Sequence, residues 1–238
     1  MAPGYYKIVV KAEQLARFSL PGQFCQISIL GVFLRRPLSI AGAASGKLKF
    51  IYKVAGAGTQ ILSQMKKGGK IEALGPLGAG YPLEAAKNKT PVLIAGGSGI
   101  ASLSFLAQKL IKPGIIFFGA KNKAELVNVS YFKKLGWEIV VATEDASAGV
   151  KGYITSACAN HFKKNACSGM VIFACGPSLM LKKVAELARA HKIEGYSSLE
   201  EKMACGTGIC QGCAVSIKGE YKRACTDGPV FNLNDVNW

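Results

Sequence analysis

Four cysteines near the carboxy terminus, Cys205, Cys210, Cys213 and Cys225, are spaced C-x4-C-x2-C-x11-C. Three thiols crowded in one short loop, with a fourth further on, form a spacing that wraps a 2Fe-2S cluster. The loop reads Ala204-Cys205-Gly206-Thr207-Gly208-Ile209-Cys210-Gln211-Gly212-Cys213. Its glycines permit the φ > 0 angles that let backbone N–H groups turn toward sulfur. A hairpin expected over 214–221, with its turn at Lys218-Gly219, leads toward the fourth cysteine. A cluster of this kind moves single electrons, so the expected chemistry is electron transfer.

Cysteines have other uses. A structural zinc site usually draws its ligands as two C-x2-C or C-x4-C pairs, whereas here three crowd one loop. A disulfide scaffold needs a denser set than eight cysteines in 238 residues. Of the remaining four, Cys25 lies in an apolar run and reads as a small buried hydrophobe. Residues 1–6 lack the charged start and apolar core of an export signal, so a reducing cytoplasmic setting is expected.

Composition sets the scale for what must position these thiols. Half of the residues are hydrophobic and 18% are charged, which suits two modest packed domains plus a small appendage. No stretch approaches the roughly 18–20 apolar residues of a membrane helix, so no membrane partner is expected. The net charge is +16, but the basic residues are dispersed as pairs such as Lys66-Lys67 and Lys133-Lys134. Without a basic run or a recognition motif, nucleic acid is not expected as a partner. The charge suits anionic cofactors and an acidic partner or substrate.

Residues 5–10, 24–30, 47–53 and 70–74 read as short strands punctuated by glycine and proline, the pattern of a small antiparallel barrel. A helix is expected over 58–66, closed by Lys66-Lys67-Gly68-Gly69. Two features could hold an anion. In Arg35-Arg36-Pro37-Leu38-Ser39-Ile40, proline keeps Arg36 extended, so its guanidinium and the Ser39 hydroxyl could face one anion. The helix start at Gly58-Thr59 offers free N–H groups. The plain alternatives are an exposed arginine pair and an ordinary helix cap.

From about residue 90, strands over 92–95, 115–119, 138–142 and 170–174 alternate with helices over 101–111, 124–135, 153–161 and 179–191. This order predicts a parallel sheet covered on both faces, with ligands at the carboxyl ends of its strands. Gly96-Gly97-Ser98-Gly99 follows the first of these strands, where glycines would let the backbone approach a diphosphate. It departs from a dinucleotide fingerprint, with Ser102 at the third glycine position and no acidic residue after Gly119-Ala120-Lys121. A generic glycine loop is the alternative. Cys175-Gly176-Pro177 ends the last strand at the same edge. His161 and His191 fall at helix ends and are assigned no catalytic role.

The order Arg36-Pro37-Leu38-Ser39, Gly58-Thr59, Gly75-Pro76-Leu77-Gly78, Gly96-Gly97-Ser98-Gly99 and Cys175-Gly176-Pro177 resembles the ferredoxin-NADP reductase superfamily. The tail, Leu199-Glu200-Glu201-Lys202-Met203-Ala204-Cys205-Gly206 and Cys225-Thr226-Asp227-Gly228-Pro229, resembles the electron-transfer subunits of NAD-linked dihydroorotate dehydrogenases. The chain departs from that pattern at Ser98, Ala101-Ser102 and Ala146.

The resemblance implies three parts: an FAD-binding antiparallel β-barrel over 1–86, an α/β nucleotide-binding domain with a parallel sheet over 87–195, and a small 2Fe-2S domain over 196–238. It implies that Arg36, Pro37, Leu38, Ser39, Gly58 and Thr59 hold FAD, with Ile51, Tyr52 and Lys53 along the flavin. Gly96, Gly97, Gly99 and Cys175 would meet NAD, a substrate, and the four cysteines would ligate the cluster. The implied partner is an FMN-containing subunit that oxidises dihydroorotate to orotate for pyrimidine synthesis, two copies of each chain assembling together. Electrons would pass from FMN to the cluster, to FAD and to NAD. Flavin must stand between a one-electron and a hydride carrier. No general acid or nucleophile is therefore expected here. Related layouts occur in flavin and iron–sulfur subunits of transhydrogenases and sulfur reductases. A zinc or nucleic-acid module is the reading from outside enzymology.

Overall fold

The structure, a computed structural model, describes residues 2–238. The amino-terminal part contains β1 (Tyr5–Lys11), α1 (Glu13–Phe18), β2 (Phe24–Ile27), β3 (Arg36–Ala44), β4 (Lys47–Lys53), α2 (Ala57–Ser63) and β5 (Ala73–Leu77). The strands form one antiparallel sheet in the order β1-β4-β3-β2-β5. Ser45 and Gly46, both at positive φ, make the two-residue turn between β3 and β4, which matches the twist of the paired strands. Register shifts at Ile40/Gly42 and Phe24/Gln26 bend the sheet around its core. That core is Cys25, Ile27, Leu38, Ile40, Leu48, Phe50 and Tyr52. Cys25 is fully buried there, and burial pushes its thiol up to about 12.

The second part is built from β6 (Thr90–Gly96), α3 (Ile100–Lys109), β7 (Ile115–Ala120), α4 (Val129–Lys134), β8 (Glu138–Thr143), β9 (Val150–Lys151), α5 (Ile154–Lys164), β10 (Met170–Cys175), α6 (Ser178–Ala190) and β11 (Glu194–Ser198). Side chains alternate between two cores, as a sheet covered on both faces requires. Val92, Ile94, Phe117 and Ile172 pack with α5 and α6, while Leu93, Ala95, Phe118 and Phe173 pack with residues of α3 and α4. The third part carries a hairpin, β12 (Ala214–Ile217) and β13 (Glu220–Arg223), and then β14 (Val230–Asn232). Lys218 and Gly219, at φ 51° and 83°, make the expected two-residue turn.

β14 joins the large sheet, antiparallel to β11, in the order β14-β11-β10-β6-β7-β8-β9. The carboxy-terminal arm is thereby sewn to the nucleotide sheet. The strand order reverses direction at β6/β10, which opens a crevice at their carboxyl ends.

Several expectations shift. The strand expected over 70–74 runs Ala73–Leu77. It includes Pro76, which an edge strand tolerates because one row of its N–H groups has no partner to lose. The helix expected over 58–66 closes earlier, at Ser63. The segment expected as a helix over 124–135 splits into a 3-10 turn, Lys123–Glu125, and α4, because Asn128 takes a left-handed φ of 64°. The short helix α1 was not anticipated. The expected division at 195/196 falls inside β11, whose sequence Glu194-Gly195-Tyr196-Ser197-Ser198 carries no apolar run.

The parts pack as one body. Phe105 of α3 inserts into the core of the first sheet. Ala41 and Ile51 bury against Ala101. Lys53 Nζ donates to Glu125 Oε1 at 2.7 Å.

Two loops at the carboxyl edge touch backbone to backbone. A Cβ on Gly99 would overlap the carbonyl of Cys175 and come within 2.8 Å of Gly176 N. Gly99 has φ −58°, open to any residue, so the constraint is purely steric. Gly99→Ala is therefore expected to cost about 1–3 kcal/mol of stability through overpacking. Its urea unfolding midpoint should fall, whereas Gly56→Ala, in extended backbone facing open space, should leave the midpoint unchanged.

Candidate electron-transfer centre

The cysteine loop lies across the outer face of β2 and β5. Phe24 of β2 and Leu77 of β5 pack against Cys213, Ala224 and Cys225. Gly206, Gly208 and Gln211 take φ of 73°, 84° and 56°, which curls the loop inward. The backbone N–H groups of Thr207 and Cys210 donate to Cys205 Sγ at 3.4 and 3.5 Å. These donors, that of Cys210 foremost, hold the Cys205 thiol down to about 6, where the thiolate that binds iron prevails at neutral pH.

The thiols meet as two pairs. Cys205 contacts Cys210, and Cys213 contacts Cys225. The hairpin makes the second pair: Ala214 and Arg223 are register partners, and Ala224 N donates to Cys213 O at 2.9 Å. Burial, followed by the Cys213 thiol, pushes Cys225 up to about 11. Arg223 clamps the following turn by donating Nε and Nη2 to the Asp227 carboxylate, both at 3.2 Å. Among the described residues, no three His, Cys, Asp or Glu side chains converge closely enough to hold a single ion. Four thiols gathered in this order suit a 2Fe-2S cluster, two thiolates to each iron.

On the first sheet, β3 divides the Arg36-Pro37-Leu38-Ser39 stretch between its faces. Register partners in antiparallel strands share a face. Ser39 pairs with Phe24 and Pro37 with Gln26, so these four face the cysteine loop side, while Leu38 enters the core. The Arg36 guanidinium reaches the start of α2, where a Cβ on Gly58 would lie 2.8 Å from its Nε. Thr59 shapes that start: its Oγ1 accepts from Ala55 N at 2.9 Å and Gly56 N at 3.2 Å, and donates to Gly56 O at 3.0 Å. A fixed cationic fork beside free helix N–H groups suits a diphosphate. Tyr52 stacks on Tyr6, and its buried hydroxyl has no hydrogen-bond partner. Arg36, Gly58 and Thr59 thus converge. Ile51 is committed to packing, and Lys53 to its ion pair with Glu125.

At the crevice of the second sheet, β6 and β10 bring Gly96–Gly99 and Cys175 together, with Ala95 and Cys175 in register. Gly96 and Gly99 are used for close packing against Pro177, Met180 and Cys175. Gly97, at φ 50°, is the one of the three with space above it; its nearest neighbour there is Tyr5 Oη. Cys175 is buried, and burial raises its thiol well above the ordinary range. Its side chain therefore lines the core behind the crevice. The acidic stretch after β8 is tied down: Asp145 Oδ1 accepts from Ser147 Oγ at 2.6 Å, and Ser147 Oγ accepts from Lys123 N at 2.6 Å.

Sequence reasoning missed two buried polar residues. Tyr81 donates its hydroxyl to Ala174 O at 3.2 Å, beside Cys175. Gln26 is fully buried, and neither amide atom has a partner. Its signal was a lone polar residue in the apolar run Phe24-Cys25-Gln26-Ile27.

The fold defines a ferredoxin reductase-like flavoprotein. Ferredoxin-NADP+ reductase from Plasmodium falciparum superposes with a TM-score of 0.64 over 79% of this chain and 84% of that one, at 18% identity, a likeness of fold alone. A structure described as the NADH-dependent reduced ferredoxin-NADP oxidoreductase, a flavin-based electron-bifurcating enzyme, superposes with a TM-score of 0.89 and 32% identity, covering all of this chain and 86% of that one. Residues 200–237 match the iron–sulfur cluster binding domain of dihydroorotate dehydrogenase B. The dihydroorotate dehydrogenase B (NAD(+)) electron transfer subunit of Desulforamulus reducens is 37% identical over all of this chain and 94% of its own length. That of Caldanaerobacter subterraneus is 40% identical over 91% of this chain and 86% of its own. The chain belongs to this family of electron transfer subunits.

A guanidinium on a diphosphate contributes charge-assisted hydrogen bonds of about 1.5–3 kcal/mol. Arg36→Ala is therefore expected to weaken FAD binding roughly ten- to hundredfold, read by flavin fluorescence titration. Gly58→Ala should weaken it in the same direction by displacing that side chain.

Proposed function

We propose that this chain carries electrons between a dihydroorotate-oxidising catalytic subunit and NAD, as part of pyrimidine synthesis. The observation that carries the reading is the seating of the cysteine loop directly on the sheet that bears Arg36 and Ser39, with the α2 start at Gly58 beside that Arg36. When bound, the cluster supplies one-electron steps, and FAD supplies the exchange between single electrons and hydride.

The chain's residues provide placement. Cys205, Cys210, Cys213 and Cys225 hold the cluster, and the donors at Cys205 Sγ keep that ligand ionised. Arg36 and the α2 start hold the FAD diphosphate, with Pro37, Leu38, Ser39, Ile51, Tyr52 and Lys53 forming or bracing the surface beside it. Gly97 receives the nicotinamide nucleotide at the crevice, and Gly96, Gly99 and Cys175 fix the shape of that crevice from behind. None of these residues is asked to move a proton to or from dihydroorotate, so the base belongs to the partner.

We take the partner to carry FMN and the assembly to contain two of each chain. We divide the chain into a flavin barrel over 1–86, a nucleotide domain over 87–195 and a cluster domain over 196–238, with β14 lending its edge to the nucleotide sheet. A reducing cytoplasm suits eight unpaired thiols. No helix among the described residues is long and apolar enough to cross a membrane.

The test is purification together with the catalytic subunit under anaerobic conditions. About two irons and two sulfides per chain are expected, with one FAD, and dihydroorotate-dependent NAD reduction only when both chains are present. Cys210→Ser should lose iron, sulfide and that coupled activity, while NADH still reduces the bound flavin. Equal loss of both activities would overturn separable centres. Reduction by NADPH without dihydroorotate turnover would favour the second reading, a transhydrogenase-type subunit, for which the 32% identical ferredoxin-NADP oxidoreductase speaks.

A further inference from the structure

Gln26 lies beneath the proposed cluster loop and is unaccounted for by either proposed redox site. It sits in the middle of the first sheet, opposite Pro37 on β3 and Leu74 on β5. Its side chain shares a face with Phe24, two residues away, and Phe24 is the residue that packs on Cys213 and Cys225. The amide lies under the cysteine loop. A Cβ on Gly206 would meet Gln26 Cγ at 2.7 Å and Nε2 at 2.8 Å. Gly206 is therefore the residue that lets the amide come this close, and Gly206 directly follows the ligand Cys205.

Gln26 is 0% exposed, and both Nε2 and Oε1 lack partners. A buried amide without hydrogen bonds costs about 1–3 kcal/mol, a cost that a bound group supplying them would remove. A packing role would be met better by leucine or methionine, which carry no such cost. The loop above it is rich in sulfur, and thiolate and sulfide only accept hydrogen bonds. The amide lies against that loop, and of its two ends only the nitrogen can donate to sulfur.

We propose that Gln26 is a positioning residue of the electron path, donating its side-chain N–H to the sulfurs of the bound cluster and raising the cluster's reduction potential. The proposal rests on the cluster reading above. Hydrogen bonds to sulfur are among the factors that set such potentials, because a donor stabilises the more negative, reduced form. Gln26 also belongs to the strand that pairs with Pro37, so the donor is carried by the flavin sheet itself. Its contact with the cluster is then fixed by the same backbone that fixes the flavin.

The experiment is a redox titration of the complete complex, holding flavin and cluster, followed by EPR of the reduced cluster. Gln26→Leu and Gln26→Met each remove the donor and leave an uncharged side chain of similar volume. Both are expected to lower the cluster's midpoint potential and shift its g-values, with the FAD potential unchanged. An unchanged cluster potential in either variant at full iron and sulfide content would overturn the proposal. So would a shift confined to the flavin, which would assign the amide to the flavin ring instead. Loss of iron from both variants, with flavin and circular dichroism intact, would make Gln26 a support for the loop and also defeat the tuning role. A wild-type complex without iron and sulfide would instead defeat the functional reading itself.

Discussion

Two prosthetic groups exchange electrons only when protein holds them close, and here one strand, β2, joins the core of the first sheet to the floor of the cysteine loop. β2 uses its two faces for different work. Cys25 and Ile27 face the barrel core, while Phe24 and Gln26 face the cysteine loop. Strand alternation makes this possible in four residues, and it has a consequence. The barrel that shapes the flavin site cannot be repacked without moving the floor of the cluster site. Leu77 on the neighbouring edge strand extends that floor, and the bridge from Ala79 to Pro229 closes it from the side.

The nucleotide sheet is locked to the same assembly by backbone rather than by side chains. Gly96, Gly99 and Gly176 let the loops after β6 and β10 touch main chain to main chain. The crevice at the strand reversal is consequently rigid on its inner side, and Gly97 alone of that loop's three glycines is left open toward the barrel. Lys53 and Glu125 tie the end of β4 to the turn after β7, across the same gap. The ion pair is partly exposed, so its worth lies in setting the angle between the parts more than in stability.

Features that depend on local sequence were legible. The gathering of three thiols in one loop, the hairpin turn at Lys218-Gly219 and the four principal strands of the second sheet are fixed by short-range spacing and φ preference. What escaped depends on partners distant in sequence. β11 is a strand because β10 and β14 flank it, and β14 because it has β11; neither carries an apolar run long enough to announce itself. Cys175 occupies the expected edge, yet its side chain turns inward, since the parity of β10 places it in the core with Phe173. The glycines after β6 suggested room for a diphosphate. Two of them instead answer a steric demand from Cys175, Pro177 and Met180, more than seventy residues away. Gln26 was passed over because a single polar letter in an apolar strand says nothing about what lies above it.

The paired arrangement of the thiols also gives the centre a direction. Cys213 and Cys225 are buried against Phe24 and Ala224, whereas Cys210 is exposed and Cys205 half-buried. One pair therefore faces the flavin sheet and the other faces outward, with Ile209 standing exposed between the outer ligands. Under the proposed function, the outward pair meets the catalytic subunit and the inward pair meets the flavin side. A donor at Gln26 then acts from beneath the loop, next to Cys205, while the backbone N–H groups of Thr207 and Cys210 act on that sulfur from the loop itself. Hydrogen bonds from two separate elements of the fold thus converge on the ligand set, and the arm keeps its outer edge free for a partner.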